Sequence, residues 1–114
     1  AFAIYDGVTD GELYSRMKNF DDNQILRGML PHHSQFINEH DTIESQLSIT
    51  AQIIRDFYNV KVGISILSQD DIVYLGVLKG ENLTIQSFKM TRRRNLMKSR
   101  TQNYVLIRLL NLFK

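Results

Sequence analysis

The sequence predicts an α+β domain: a five-stranded antiparallel sheet with short helices packed on one face, followed by a C-terminal amphipathic helix. Three observations predict this class. β-Branched residues dominate three runs in the middle of the chain, short helical patterns precede them, and an apolar stripe recurs at helical spacing near the end. The chain has 114 residues, the size of one domain. We therefore expect one folded domain over residues 1–82, with a basic linker and the amphipathic helix over 83–114.

The first part of the chain contains two short strand-like runs and then helical patterns. Phe2–Tyr5 and Glu12–Met17 flank a segment with two Asp and two Gly, which is typical of a hairpin turn. Asp21 and Asp22 can cap a short helix that ends before Pro31. A second helix is predicted after Pro31, because four residues recur on one face at spacings of four, three and four. These residues are Phe36, His40, Ile43 and Leu47.

The second part of the chain predicts three antiparallel strands, over 47–54, 58–67 and 72–78. Alternating apolar residues in the middle run indicate one buried face, and residues 68–71 form a polar hairpin loop. The last of these runs is apolar on both faces, so we expect helices on one side of it and a partner or the terminal helix on the other. The pattern over 84–88 assigns no state, and 96–113 forms the final helix.

Charge is divided unevenly along the chain. The first 88 residues carry six basic and 12 acidic side chains, a net charge of −6, whereas the last 26 residues carry eight basic side chains and no acidic one, a net charge of +8. Asymmetry of this kind favours an acidic folded body and a basic arm that meets an anionic or helical partner.

Several classes of function have little support in the composition. The chain has no Cys, which excludes disulfides and thiolate chemistry and is compatible with a cytoplasmic protein. No apolar run reaches the length of a membrane span, so we expect no membrane partner. The six Gly are scattered, and the paired acids at 21–22 and 70–71 are typical of helix caps and turns. We expect no enzymatic activity.

The histidines are the candidate ligands for a cofactor. His40 lies on the apolar face of its predicted helix, where Phe36 and Ile43 would line any pocket beside it. Imidazole is a good axial ligand for haem iron, so a haem or small-molecule sensor is an alternative to a hydrogen-bonded core histidine, which we favour. His32 and His33 are adjacent and point apart on a helix, so we predict no metal site and no resident cofactor.

The C-terminal segment holds two candidate interaction surfaces. The basic cluster predicts either contact with DNA phosphates or a solvated linker. Its members are Arg92, Arg93, Arg94, Lys98 and Arg100. The apolar stripe of the final helix predicts either packing on the chain's own sheet or a homodimer interface, and we favour the homodimer because an exposed stripe of this width is a liability in a monomer. Its members are Val105, Leu106, Leu109, Leu110, Leu112 and Phe113.

Three segments resemble a PAS domain, a small sensor and dimerisation module. These are the two runs 2–6 and 11–14, the segment Pro31–Asp41, and the hairpin of 62–67 with 72–77. Within this family, the chain most resembles the PAS halves of LuxR-type bacterial transcription regulators, including activators of plasmid conjugation. It implies a dimeric regulatory domain whose helix-turn-helix lies outside this chain, and it matches His40 to the haem ligand of oxygen-sensing PAS domains. A small DNA-binding protein working through the basic arm is a further alternative.

Overall fold

The computed structural model describes residues 2–9, 12–18, 26–31, 41–90 and 94–112. Within these residues the chain forms five strands and three helices. In chain order they are β1 Phe2–Asp6, α1 Glu12–Lys18, β2 Leu26–Pro31, α2 Ile43–Phe57, β3 Val62–Gln69, β4 Ile72–Lys79, β5 Asn82–Lys89 and α3 Arg94–Leu112. No helix of the described part is long and apolar enough to cross a membrane.

The strands form one mixed sheet in the order β2-β1-β3-β4-β5. β1 runs parallel to both of its neighbours, with Ile4 opposite Met29 on β2 and Ile64 on β3. The strands β3, β4 and β5 form an antiparallel meander. The α+β class is confirmed, but the prediction of an antiparallel sheet is wrong, because the connections through α1 and α2 are crossovers that return the chain in the same direction.

Helices cover both faces of the sheet, so the prediction of helices on one face is wrong. On one face Ile4, Ile64 and Leu75 are buried together with side chains of α1 and α3. On the other face Ala3 and Tyr5 are buried with the apolar side of α2. The chain therefore has three layers, and alternate residues of β1 enter two separate cores.

The segment predicted as the second strand of an N-terminal hairpin is helix α1. Leu13 and Met17, four residues apart, are both buried in the core beneath α3 and the sheet. The predicted hairpin of Phe2–Tyr5 with Glu12–Met17 is therefore wrong. The helix predicted to end before Pro31 is wrong as well, because Leu26–Pro31 pairs with β1; Asp21 and Asp22 lie outside the described residues.

The segment predicted as the first of three central strands is the core of helix α2. The Thr42 side chain accepts a hydrogen bond from the backbone N–H of Ser45 at 3.1 Å and caps the helix. The buried residues are spaced by three, one and three, which is one face of a helix. They are Leu47, Thr50, Ala51 and Ile54. The β-branched residues of this run suggested a strand, but packing of the helical face on the sheet decides its state.

Two predictions for the second half of the chain agree with the structure. The hairpin of β3 with β4 and the amphipathic helix α3 are confirmed. The loop between β3 and β4 is shorter than predicted, because Gln69 pairs with Ile72 and only Asp70 and Asp71 connect the strands, both with positive φ. Residues 83–89, placed in a linker by the sequence, belong to β5 and extend the sheet.

Candidate functional site at the carboxyl end of strand β1

The last residue of β1 is a buried carboxylate, Asp6, which is 1% exposed. Its Oδ1 accepts hydrogen bonds from the backbone N–H groups of Val8 at 3.0 Å and of Thr9 at 2.8 Å. Its Oδ2 accepts a short hydrogen bond from the hydroxyl of Thr9. Both oxygens of the carboxylate therefore hold the loop that follows β1, and these bonds offset the cost of removing its charge from water.

Thr9 joins this loop to the first turn of α1. Its backbone carbonyl accepts a hydrogen bond from the N–H of Glu12 at 3.1 Å, and its hydroxyl accepts one from the N–H of Leu13 at 3.2 Å. Two of the N–H groups that a helix start leaves without intrahelical partners are satisfied in this way. Because the same hydroxyl donates to Asp6, the end of β1 and the start of α1 are fixed relative to each other.

Gly7 presses the loop against β3. Its N–H donates to the carbonyl oxygen of Ile66 at 2.7 Å, which continues the pairing of β1 with β3 by one residue. A Cβ at position 7 would lie 2.7 Å from that oxygen and 2.8 Å from Cδ2 of Leu67. Only glycine fits this approach without displacing β3, so a side chain at position 7 would move the loop away from the sheet.

A polar bridge connects the start of α1 to α3. Gln102 Nε2 donates to Glu12 Oε2 at 2.7 Å, and Arg16 Nη1 donates to Gln102 Oε1 at 3.3 Å and to Asn103 Oδ1 at 2.9 Å. The neighbouring Thr101 is fully buried, and its hydroxyl has no hydrogen-bond partner among the described residues. The N-terminal half of α3 is thereby held beside the helix that the loop caps.

The position of this loop in the fold is the place where open sheets with parallel strands bind ligands. β1 lies between two parallel neighbours; the helix that follows β1, α1, lies on one face of the sheet, and the helix that precedes β3, α2, lies on the other. Chains of this kind form a crevice outside the carboxyl ends of the strands where the order reverses. In this chain that point lies between β1 and β3, beside Gly7.

The described side chains of the loop hold its backbone in place and offer no reactive group. Positions 7 and 8 are Gly and Val, which carry neither a nucleophile nor a proton-transfer group, and the Thr9 hydroxyl is engaged on both sides. Among the residues that the structure describes, no cluster of three His, Asp or Glu side chains is arranged to hold a metal ion.

A second concave place lies at the opposite end of the sheet, between α3 and the strands β4 and β5. Its volume is about 180 Å³. Its lining residues are Leu75, Val77, Lys79, Asn82, Thr84, Gln86, Arg108 and Leu109. Arg108 also stacks over the ring of Tyr104, with 4.9 Å between its guanidinium carbon and the ring centroid. The lining carries two cations and no acid, and it is open to solvent along β5.

The site residues that the sequence predicted do not come together at one place in the described structure. His40, Phe36, Arg92, Arg93 and Phe113 lie outside the described residues. Two others are placed at helix starts: Ile43 begins α2 and is half-buried against its core, and Arg94 begins α3. Lys98 is half-buried and Arg100 is exposed, both in the N-terminal half of α3.

Of the apolar residues predicted for a homodimer interface, all but Phe113 lie on α3, and those whose burial is described pack on the chain's own core. Val105 and Leu109 are buried in the chain's own core, and Leu106 is half-buried against the same core. Leu110 and Leu112 belong to the last turns of the helix. The homodimer stays a prediction, and Val105 and Leu109 are not on the surface of the described chain.

Sequence reasoning missed Asp6, Thr9 and Gln102. The signal for the first two was present, since an Asp directly after an apolar strand and a Thr three residues before Glu12 are typical of a strand that turns into a capped helix. The same Asp-Gly pattern also predicts a hairpin, and that interpretation prevailed. Nothing in the sequence singles out Gln102, because its partners are 86 and 90 residues away.

No protein-family model matches the sequence, and no curated protein matches it. Solved structures do match, over nearly the whole chain. A competence-damaged protein (CinA) superfamily protein from Enterobacter cloacae has a TM-score of 0.79 at 15% identity, covering 99% of this chain and 82% of that one. A competence or damage-inducible protein from Enterobacter asburiae has a TM-score of 0.81 at 12% identity, covering 99% and 87%.

A third match, a CinA superfamily protein from Klebsiella pneumoniae, has a TM-score of 0.78 at 12% identity and covers 95% of this chain and 83% of that one. The chain is thus a three-layer domain with a mixed sheet and a braced loop after β1. Its fold is that of the CinA superfamily structures. The identification as a PAS domain is wrong, because α1 replaces the expected hairpin strand, and the function as a LuxR-type regulator of transcription or conjugation is wrong with it.

Proposed function

We propose that this chain is a CinA-like ligand-binding domain, which holds a small polar molecule at the carboxyl end of β1 and does not transform it. The observation that carries the proposal is the buried Asp6 carboxylate, whose two oxygens fix the loop that follows β1. The loop stands at the point of the fold where sheets of this type form a ligand crevice.

The structure of the loop supports a binding role. A buried carboxylate is costly to remove from water, and here it is hydrogen-bonded to a loop whose glycine lies directly against β3. The result is a loop held rigid before any ligand arrives, and rigidity of this kind lowers the entropic cost of binding. The hydroxyl of Thr101, for which the described residues provide no partner, is a second supporting observation, because a buried hydroxyl without a partner costs about 1–3 kcal/mol and a bound polar group would satisfy it.

The side chains of the loop support binding without catalysis. A hydrolytic or transfer site needs a nucleophile or a proton acceptor that can reach the ligand. In the described loop the candidates are Asp6 and Thr9, and both are committed to hydrogen bonds within the chain. The ligand would meet backbone groups and the sides of α1 and α3.

For the cellular role, the names of the similar structures give one lead, since they refer to competence and to damage. We propose that this chain acts in the same kind of response, as a binding component. Deletion of its coding sequence should then change the frequency of DNA uptake or survival after DNA damage. Unchanged values in both assays would remove this part of the proposal.

The ligand site itself is tested by two-dimensional amide NMR of the wild-type chain against a library of small polar metabolites. We expect a binding compound to shift the amide signals of Gly7, Val8 and Thr9 together with that of Gln102. Shifts confined to Gln86 and Arg108 would move the site to the cavity under α3. Absence of any shift across the library would contradict a small polar ligand.

A further inference from the structure

Strand β5 ends the sheet with an open edge. It pairs with β4 through a continuous register from Lys79 opposite Asn82 to Ile72 opposite Lys89. Among the described elements nothing pairs with its other side. The strand has eight residues, no proline, no bulge and one charged residue, Lys89. Edges of this length and regularity are usually blocked by such devices, because they pair with other strands.

The hydrogen-bonding direction of β5 follows from its end. The N–H of Met90 donates to the carbonyl oxygen of Asp71 at 2.7 Å, so residue 90 is bonded towards β4. Because the direction alternates along an antiparallel strand, the even-numbered residues of β5 bond to β4 and the odd-numbered residues direct their N–H and C=O groups to the open edge. Leu83, Ile85 and Ser87 thus present six backbone groups in a row.

We propose that a second copy of this chain pairs with the open edge of β5, antiparallel and about a two-fold axis at Ile85. Rotation about an axis perpendicular to the sheet keeps each face on its own side, so residues that meet across the axis must come from the same face. Centring on Ile85 satisfies this condition. It places Ile85 opposite Ile85 of the second copy and forms a sheet that runs through both chains.

The charges select this register. With Ile85 at the axis, Glu81, in the turn directly before β5, comes beside Lys89 of the second copy, and the same pair recurs at the other end of the paired strands. Both side chains are exposed in the chain described here. Centring on Gln86 instead would place Leu83 opposite Lys89 and form no charge pair. The Ile85 side chain is 37% exposed, and pairing would cover apolar surface that the monomer leaves in water.

This dimer is independent of the ligand site and uses a different surface from the stripe of α3. Val105 and Leu109 are already buried in the chain's own core, whereas every odd-numbered residue from 83 to 87 is at least partly exposed. Strand addition of this kind takes its affinity from main-chain hydrogen bonds and its register from side chains.

The test is sedimentation velocity of the full chain over a wide range of concentrations, with a charge exchange. Wild type is expected to be a dimer. Glu81→Lys and Lys89→Glu each set like charges opposite one another at both ends, and each should raise the dissociation constant about tenfold or more. The double variant Glu81→Lys with Lys89→Glu restores opposite charges in exchanged positions and should recover the wild-type value.

Two further variants make the result decisive. Ile85→Lys should also dissociate the dimer, because it places two ammonium groups at the axis. Ile107→Asp changes an exposed residue of α3 and should have no effect. A monomeric wild type at every concentration would overturn the proposal. So would a dimer that ignores the charge changes or that is lost in Ile107→Asp. Thermal unfolding of each variant confirms that the subunit is folded.

Discussion

The hydroxyl of Thr9 donates a hydrogen bond to the carboxylate of Asp6, and through this bond the end of β1 determines where α1 begins. The first strand and the first helix are therefore a single unit. The loop that joins them is positioned by the buried carboxylate of Asp6 and by the hydrogen bond from Gly7 to Ile66 on β3. This loop forms the candidate ligand site.

Replacement of Thr9 by Val removes this hydrogen bond and the cap of α1 while preserving the shape of the side chain. We expect the free energy of unfolding to fall by about 2–4 kcal/mol, because a buried carboxylate oxygen loses its donor and a helix loses its cap. Thr9→Ser keeps the hydroxyl and should cost less than about 1 kcal/mol. Urea denaturation compares the two variants; equal losses would mean that the hydroxyl is not the important group.

The buried hydroxyls of Thr50 on α2 and Ser65 on β3 are 2.5 Å apart and join the two layers. Thr50 also donates to the carbonyl oxygen of Gln46 at 2.8 Å, whereas the part of the chain that the structure describes holds no second side-chain partner of Ser65. Thr50→Val should therefore destabilise the chain by about 1–3 kcal/mol and Ser65→Ala by less. The double variant should recover part of the loss. The reverse order in chemical denaturation would show that Ser65 has another partner.

Gly63 allows α2 to lie directly on β3. A Cβ at this position would collide with the carbonyl oxygen of Ala51, a backbone atom that cannot turn away. Gly63→Ala is expected to cost about 3 kcal/mol through displacement of the helix. The matched control is Gly80→Asn: Gly80 has φ of 60° in open space, and Asn tolerates that conformation. If Gly63→Ala had the stability of wild type, α2 would not pack on the sheet as described.

Helix α3 offers a pair of substitutions two residues apart. Leu109 is 5% exposed in the core, and Ile107 is 59% exposed. Leu109→Asp buries an unpaired carboxylate and should destabilise the chain by more than about 3 kcal/mol, whereas Ile107→Asp should change stability by less than about 0.5 kcal/mol. Thermal unfolding followed by circular dichroism measures both. Similar melting temperatures would mean that α3 does not cover the sheet.

Part of this fold could be predicted from the sequence because its signals are local. The alternation in 62–67, the two adjacent Asp and the apolar run that follows define the β3–β4 hairpin within 18 residues. The same is true of α3, whose apolar spacing is a property of one segment. In these cases the residues that decide the structure are neighbours in the chain.

The parallel part of the sheet could not be predicted in this way. Phe2–Asp6 finds its partners at residues 26–31 and 62–66, and nothing near β1 specifies either. The nearest strand-like run was therefore taken as its partner. The β-branched Ile49, Thr50 and Ile53 similarly favoured a strand where packing of α2 decides for a helix. The candidate site was missed for the same reason, since it exists only once β1 lies beside β3.

The most direct test of the ligand site is an affinity measurement by isothermal titration with a compound that shifts the loop signals. Asp6→Asn keeps an acceptor for Val8 and Thr9 but removes the charge, and we expect it to weaken binding on the order of tenfold, the equivalent of about one charge-assisted hydrogen bond. Gln86→Ala, in the cavity at the other end of the sheet, should leave the affinity unchanged. Full affinity in Asp6→Asn with loss in Gln86→Ala would contradict a site at the carboxyl end of β1.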